Sequence, residues 1–172
     1  MAEIAALYVF LHCDIEHSEQ IIYTMSKELT IEDIQEIVAK DESRYLELKQ
    51  STGELYKAMT SACAFLNTDG GWVMFGITPK LKIVGQNVTD PTRQEIANAL
   101  RKFEPAIDIP VQYVEIPKKE GFYVIAMYFN PPAPTQAPYT FDARPYYKVE
   151  NTTAIMPREM FETRIRESKP HL

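Results

Sequence analysis

The sequence predicts an α+β domain in which a mixed β-sheet carries helices packed mainly on one face. Short apolar runs typical of strands follow one another too closely for the regular alternation of a doubly wound fold. One of them, residues 72–77, is apolar throughout, which is typical of a strand covered on both faces. Residues 54–67 carry apolar side chains at helical spacing and predict a helix behind the strands.

Composition narrows the class of protein. The chain has 172 residues, of which 45% are hydrophobic, so one domain with a sizeable core is expected. The net charge of −6 argues against a uniformly basic nucleic-acid binder. Residues 1–50 hold 11 acidic and 4 basic side chains, whereas the remainder holds 13 and 14. The body of the domain is therefore nearly neutral and has room for a local basic surface.

The chain divides by composition into three parts. Residues 1–25 form an extension that is either poorly ordered or a short docked helix, residues 26–168 form the domain, and residues 169–172 are a tail at a domain edge. Two cysteines, Cys13 and Cys63, make no disulfide framework, which favours a reducing compartment. No run of 18 apolar residues and no signal-peptide pattern occurs, so we expect a cytoplasmic protein without a membrane partner.

The elements follow from local patterns in chain order. Thr30 is a good N-cap for a helix over residues 31–40, whose apolar side chains share one face. Residues 45–48 alternate as a strand, and Gly53 breaks the chain before the next helix. The prolines of residues 131–138 predict a stiff surface loop. The other predicted elements are helix 54–67, strand 72–77 with its hairpin partner 81–84, a helix from Asp90 that Pro105 stops, strands 111–116, 122–129 and 146–149, and a helix opening at Met156.

Two glutamates accompany the first predicted strand. Glu47 lies between Leu46 and Leu48 and points to the opposite face from them. Glu42 belongs to the entering loop, from which its carboxylate can turn to the same face as Glu47. Such a pair, with a third acid, could hold Mg²⁺ or Mn²⁺ and activate water. Spacing alone favours the alternative, a solvated face with Glu47 ion-paired to Lys49.

Two glycines follow the predicted helix 54–67 in the run Asn67-Thr68-Asp69-Gly70-Gly71. A glycine here can take the left-handed conformation that closes a helix, so we expect a tight helix-to-strand corner. The run is not a phosphate loop, because these glycines end a helix instead of opening one. No GxGxxG pattern occurs either, and no cofactor is expected.

Cations and aromatic rings alternate near the C-terminus. Arg144, Tyr146, Tyr147 and Lys148 fall on one predicted strand. Basic side chains interleaved with aromatics suit phosphate contacts and base stacking. In the alternative interpretation, the tyrosines pack into the core and the charges face water; both interpretations stay open.

These motifs, in this order, resemble the Schlafen AlbA-type domain family, a DNA-binding family also labelled divergent AAA. The resemblance covers roughly residues 30–165, and the Asn-x-x-Gly-Gly block is its most specific part. The matching positions are Glu42, Glu47, Leu48, Lys49, Ala64, Phe65, Asn67, Gly70, Gly71, Gly76, Gly85, Tyr147 and Lys148. In the family pattern, Gly76 and Gly85 are turn residues at the two ends of a short hairpin.

The resemblance implies a nucleic-acid-binding role first. Bacterial members are similar to transcriptional regulators that bind nucleic acid. In this interpretation Lys49, Arg144 and Lys148 contact the phosphates of DNA or structured RNA. Tyr146 or Tyr147 lies near bases or sugars.

A nuclease is the first alternative. Animal Schlafen members are similar to metal-dependent endoribonucleases with three acidic residues. Glu42 and Glu47 match the first two, with Mg²⁺ or Mn²⁺ as the implied metal. The third acid should follow Gly85, but Gln86 stands there and the nearest acid is Asp90.

A dimerisation or protein-interaction scaffold is the second alternative. The acidic first 50 residues and the proline-rich loop 131–138 could serve such a role. A single lobe of this fold is expected to pair with a second copy, giving a homodimer.

Overall fold

The computed structural model describes residues 28–40, except the side chain of Lys40, and residues 44–169. The chain divides after Thr30, and all elements below belong to the unit Ile31–Leu172. The helices of the described residues are α1 (Ile31–Lys40), α2 (Leu55–Leu66), α3 (Asp90–Leu100) and α4 (Arg158–Ser168). The strands are β1 (Leu46–Lys49), β2 (Gly71–Phe75), β3 (Gln86–Asn87), β4 (Phe103–Glu104), β5 (Gln112–Glu115), β6 (Phe122–Phe129), β7 (Thr140–Phe141), β8 (Tyr146–Val149) and β9 (Thr152–Ile155).

The main sheet has five strands and mixed directions. β1 pairs with β2 in parallel, and β6 runs antiparallel to β2, β3 and β5. Ile125 and Ala126 of β6 have partners on both β2 and β5, so these two strands flank β6. This arrangement confirms the predicted α+β class with a mixed sheet. It also places the first predicted strand beside the apolar strand 72–77.

Helix α2 is the centre of the core. It contacts β1, β2 and β6 of the main sheet and also β7, β8 and β9. A helix covered on several sides needs small side chains along much of its surface, and α2 supplies alanine, serine and cysteine. Its buried residues are Ala58, Met59, Ser61, Ala62, Cys63, Ala64, Phe65 and Leu66. Burial raises the pKa of the Cys63 thiol to about 12, so this cysteine is a packing group at neutral pH.

Two glycines allow the backbone to pass closely beside its neighbours. Gly70 has φ 74°, and a Cβ on it would lie 2.9 Å from the carbonyl oxygen of Phe129. Gly76 has φ 97°, and its Cβ would lie 2.8 Å from the Cα of Gly85. Only glycine accepts both the positive φ and the absence of room. The corner after α2 and the two ends of the 76–85 hairpin are therefore set by backbone contact.

The structure departs from the predicted elements in three places. The predicted segment 81–84 pairs back toward the apolar strand, but only through one isolated antiparallel bridge between Ile83 and Ile77, so it does not form a full strand. The helix expected to run up to Pro105 ends at Leu100, because Phe103 leaves it to pair with β7. Strands β3, β4, β7 and β9 were not predicted, since runs of two to four residues with polar members show no readable alternation.

Asn67, at the end of α2, connects that helix to the segment that leads into β8. Its side-chain Nδ2 donates to the carbonyl oxygens of Tyr139 and Tyr146, at 2.8 and 2.7 Å. Its Oδ1 accepts from the backbone N–H of Tyr139 at 2.7 Å. The residue is only 2% exposed, so water does not replace these bonds. The Arg164 guanidinium of α4 also donates to the backbone carbonyl of Asn67, at 2.7 Å.

The longest helix of the described residues, α2, has 12 residues, and none of the helices in that part of the chain could span a bilayer.

We expect Asn67→Ala to lower the free energy of unfolding by about 3 kcal/mol, because it removes three hydrogen bonds and leaves buried backbone groups unpaired. Urea denaturation of the variant and the unmodified protein measures this difference. Asn87→Ala, at an exposed position of β3, is the matched control and should change stability by less than about 0.5 kcal/mol. A loss below about 1 kcal/mol for Asn67→Ala would contradict the role assigned to its amide.

Candidate nucleic-acid interface

Glu47 and Lys49 project from the edge strand β1 onto the face of the sheet that α2 covers. Their register partners on β2 are Val73 and Phe75. Both partners belong to the core cluster formed with α2. Because paired residues of neighbouring strands point to the same face, the two charged side chains lie at the margin of that core and not on the opposite face.

The ion pair favoured by the spacing of Glu47 and Lys49 is present. The Lys49 ammonium lies 2.9 Å from a Glu47 carboxylate oxygen and 3.8 Å from Glu54. The side chains of Lys49 and Glu47 are 13% and 18% exposed, whereas that of Glu54 is 52% exposed. Glu47 is therefore the closer and better shielded partner of Lys49, and solvent weakens the contribution of Glu54.

Lys148 of β8 completes this group from the other side. It is 6% exposed, and its ammonium donates to the Thr153 hydroxyl of β9 at 3.0 Å. The same ammonium lies 4.9 Å from the centre of the Phe65 ring, within cation–π range. The Thr153 hydroxyl is in turn 3.1 Å from the Ser61 hydroxyl of α2. We call Glu47, Lys49, Lys148 and Thr153 the edge cluster.

The charges of the edge cluster are only partly balanced. Burial has the largest effect on the pKa of Lys148 and lowers it; the Glu47 carboxylate raises the pKa, and the Lys49 charge, which has a smaller effect than Glu47, lowers it. No carboxylate of residues 28–40 or 44–169 lies within ion-pairing distance of the Lys148 ammonium. A buried ammonium in this state gains from an arriving anion, because an opposite charge favours its protonated form.

The other predicted nucleic-acid contacts are distributed more widely. Arg144 is exposed in the turn before β8, four residues from Lys148. Tyr146 is 9% exposed and belongs to the core, so its ring is not presented to a ligand. Tyr147 is half-buried, and strand alternation points it away from the face that carries Lys148. The structure thus brings Lys49 and Lys148 together and leaves Arg144 at a distance.

The predicted metal-ligand set is not assembled by the described residues. Glu42 lies outside them, and Asp90 is an exposed residue at the start of α3. Gln86 stands where the third acid was expected, and its side-chain amide accepts from the Thr52 N–H at 2.8 Å and donates to the Thr52 hydroxyl at 3.1 Å. Residues 28–40 and 44–169 contain no group of three His, Cys, Asp or Glu side chains that could hold a metal ion.

Two polar residues of this region were not found from the sequence. Thr153 belongs to β9, a strand that showed no periodic pattern. Ser61 is 5% exposed on a helix that is otherwise apolar where it is buried. A serine among core positions of an amphipathic helix is the signal that could have revealed it, because a buried hydroxyl needs a hydrogen-bond partner.

Comparison with known families agrees with this architecture. Residues 42–157, more than half of the chain, match the family described as Schlafen, AlbA_2. The chain therefore belongs to the Schlafen AlbA_2 family, which confirms the predicted resemblance. A search of curated proteins found no match.

Two solved structures are similar to this chain. One is the N-terminal domain of a RecG-related protein from Nitrosomonas europaea, with 23% identity, a TM-score of 0.49, and coverage of 64% of this chain and 78% of that chain. The other is the DIP2311 protein from Corynebacterium diphtheriae, with 18% identity and a TM-score of 0.48. That match covers 79% of this chain but only 32% of the Corynebacterium chain.

Lys148→Met should change how stability depends on pH. The pKa of Lys148 is lower in the folded protein than the usual 10.5, so the unfolded chain binds more protons in the interval between the two values. Stability of the unmodified protein therefore rises with pH through that interval, and below it the cost of burying the charge is fully present. We expect the Met variant to lack this rise and to be at least as stable at neutral pH.

Urea unfolding of both proteins from neutral pH to 10.5 measures the effect. Parallel stability curves for the two proteins would contradict it. Lys80→Met, which removes an exposed lysine from the 76–85 hairpin, is the control and should follow the unmodified protein.

Proposed function

We propose that this domain binds nucleic acid, with Lys49 and Lys148 of the edge cluster contacting backbone phosphate. The observation that carries the proposal is the buried Lys148 ammonium, which has a hydroxyl and an aromatic ring as close neighbours and no ion-paired carboxylate among the described residues. Burying such a charge has a cost, which a phosphate ligand would offset. Membership of the Schlafen AlbA_2 family supports a role of this class.

The chemistry of the two lysines suits phosphate and not base recognition. Each ammonium has three donors, and Lys148 commits one of them to Thr153. Lysine acts on phosphate as a point charge, so these contacts position the domain on a backbone without reading its sequence. Arg144 is exposed in the turn before β8 and would contact a further phosphate of the bound nucleic acid. Of the two tyrosines, Tyr147 is the one outside the core, so any sugar or base contact would use its ring, on the opposite face of β8 from Lys148.

The biological setting is a further part of this proposal. We propose that the domain is the nucleic-acid-binding module of a bacterial-type transcriptional regulator and that it acts as a homodimer in the cytoplasm. Sedimentation velocity of the full chain tests the homodimer, and a strictly monomeric profile would contradict it.

Binding to DNA or structured RNA should weaken steeply with salt, because counterions are displaced from the phosphates. We expect Lys148→Met and Lys49→Gln each to weaken binding and to reduce the slope of log affinity against log salt by about 0.9 on duplex DNA. Fluorescence anisotropy with a labelled duplex and a labelled RNA hairpin, between about 50 and 200 mM salt, measures both quantities. Lys80→Gln removes one exposed positive charge from the 76–85 hairpin and serves as the matched control.

Two results would contradict the proposal. One is the absence of binding to any of these probes at low salt. The other is binding that Lys80→Gln weakens as much as Lys148→Met does, because the affinity would then come from overall charge and not from the edge cluster.

Glu47→Gln separates phosphate binding from the nuclease alternative. If Lys49 contacts phosphate, removing the competing Glu47 carboxylate frees its ammonium, and affinity should rise by about threefold to tenfold. If Glu47 were a metal ligand, the same change would abolish cleavage of transfer RNA in the presence of Mn²⁺. Weaker binding by Glu47→Gln, with cleavage activity present in the unmodified protein and lost in the variant, would replace our proposal by the nuclease.

A further inference from the structure

Tyr56 presents a large aromatic ring at the surface in a fixed orientation. The residue is 50% exposed in the first turn of α2. Its hydroxyl donates to the Asp142 carboxylate at 2.9 Å, and its ring packs against Phe141 with centres 5.2 Å apart and planes tilted by 59°. The hydroxyl and one part of the ring are therefore held while half of the residue remains accessible.

The segment that holds Tyr56 is an unusual turn. Phe141 and Arg144 exchange two backbone hydrogen bonds, at 2.9 and 3.0 Å. The two residues between them, Asp142 and Ala143, have φ values of 50° and 63°. Glycine and asparagine are the usual occupants of such a two-residue turn, and alanine tolerates it poorly. A non-glycine residue kept in this conformation is a feature that clusters at functional sites.

Two cations lie near Tyr56, one beside its ring and one close enough to act on its hydroxyl. The Lys102 ammonium lies 5.6 Å from the centre of the Tyr56 ring, and the backbone carbonyl of Lys102 accepts from the Asp142 N–H. Arg144 ends the turn with an exposed side chain, and its charge acts on the Tyr56 hydroxyl. The Asp142 carboxylate is committed to the Tyr56 hydroxyl. We call Tyr56, Lys102, Asp142 and Arg144 the Tyr56 platform.

We propose that the Tyr56 platform binds an unpaired nucleotide, whose base stacks on the Tyr56 ring while Lys102 and Arg144 contact the adjoining phosphates. This inference rests on the proposed nucleic-acid binding and deepens it by naming single-stranded nucleic acid as the ligand class. A positively charged surface with a fixed aromatic ring is the combination that single-strand binders use. The Lys102 side chain is long and exposed, so it can turn from the ring to a phosphate when a base arrives.

The platform is close enough to the edge cluster for one strand to reach both. Arg144 precedes Lys148 by four residues of mostly extended chain, roughly 13 Å at 3.3 Å per residue. A nucleic acid that combines an unpaired segment with a duplex would therefore engage both sets of cations. A fully paired duplex offers no free base face, so it should not stack on Tyr56 and should bind through backbone phosphate contacts alone.

The test compares two probes of equal length, a labelled thymidine homopolymer and a labelled blunt duplex, by fluorescence anisotropy. We expect Tyr56→Leu to weaken binding of the single strand by about 5- to 100-fold, because it removes one stacked base. Binding of the duplex should stay within about twofold. Tyr56→Phe retains the ring and is the matched control, with single-strand affinity within about threefold of the unmodified protein. Lys102→Gln and Arg144→Gln should each reduce the salt slope for the single strand by about 0.7.

A second measurement uses the unmodified protein and does not depend on how the variants fold. A single strand that carries 5-iodouracil is cross-linked by light, and the attached peptide is identified by mass spectrometry. We expect the cross-link at Tyr56.

Several outcomes separate this inference from the proposed function. If Tyr56→Leu binds the single strand normally or the cross-link lies elsewhere, the platform is wrong while binding through the edge cluster stands. If Tyr56→Leu loses single strand and duplex equally, the platform has no selectivity for unpaired bases and the inference also fails. If the unmodified protein binds neither probe at low salt, both proposals fall.

Discussion

The buried amide of Asn67 is the interaction on which the rest of this structure depends. It satisfies backbone groups of Tyr139 and Tyr146 from the end of α2, so the chain leading into β8 is held against that helix. The next residue continues the attachment, because the Thr68 hydroxyl accepts from the Lys148 N–H at 3.0 Å. The position of the Lys148 backbone is therefore set by the same corner that closes α2. An asparagine meets this need because its amide both donates and accepts within one short side chain.

The electrostatics of the edge cluster run against stability. Lys148 is buried and near a second lysine, and Glu47, a carboxylate near both, is already paired with Lys49. A hydrophobic residue of similar length would pack against Phe65 without the desolvation cost. Groups whose surroundings oppose their own charge occur at functional sites more often than elsewhere. Burial of the apolar core formed by α2, β2 and β6 stabilises the fold. At the edge of the sheet, the Lys148 ammonium stays without an ion pair to any carboxylate of the described residues.

Sequence patterns predicted most of the helices and longer strands, but not the contacts between residues that are distant in the chain. The strand before Gly76, the helix before Asn67 and the pairing of Glu47 with Lys49 all follow from local spacing, which a single sequence displays. The proximity of Lys49 to Lys148 cannot be predicted from local spacing, because the two residues are distant in the chain and no periodicity connects them. The resemblance to a known family indicated which motif residues belong to one site, but it did not predict the distances between them.

Other features lie outside what local patterns encode. Alternation in β8 shows that Tyr146 and Tyr147 face opposite ways, but only the packing of β8 on α2 shows that Tyr146 faces inward. The positive φ of Ala143 has no signal in its residue type, since alanine is rare in that conformation. The Tyr56 platform depends on that turn and therefore could not be predicted from sequence patterns. The polar contact between Ser61 and Thr153 needed β9, a strand too short and too polar to recognise.

The two lysines of the edge cluster come from β1 and β8, which are far apart in the sequence, and only the native topology places them together. An anion that touches both acts as a non-covalent crosslink between these distant segments, and the unfolded chain has no equivalent surface for it. By mass action, such a ligand at a free concentration of a hundred times its dissociation constant would raise the free energy of unfolding by about 2.7 kcal/mol. Thermal shift in the presence of polyphosphate or nucleotides would thus sort candidate ligands without any assay of activity.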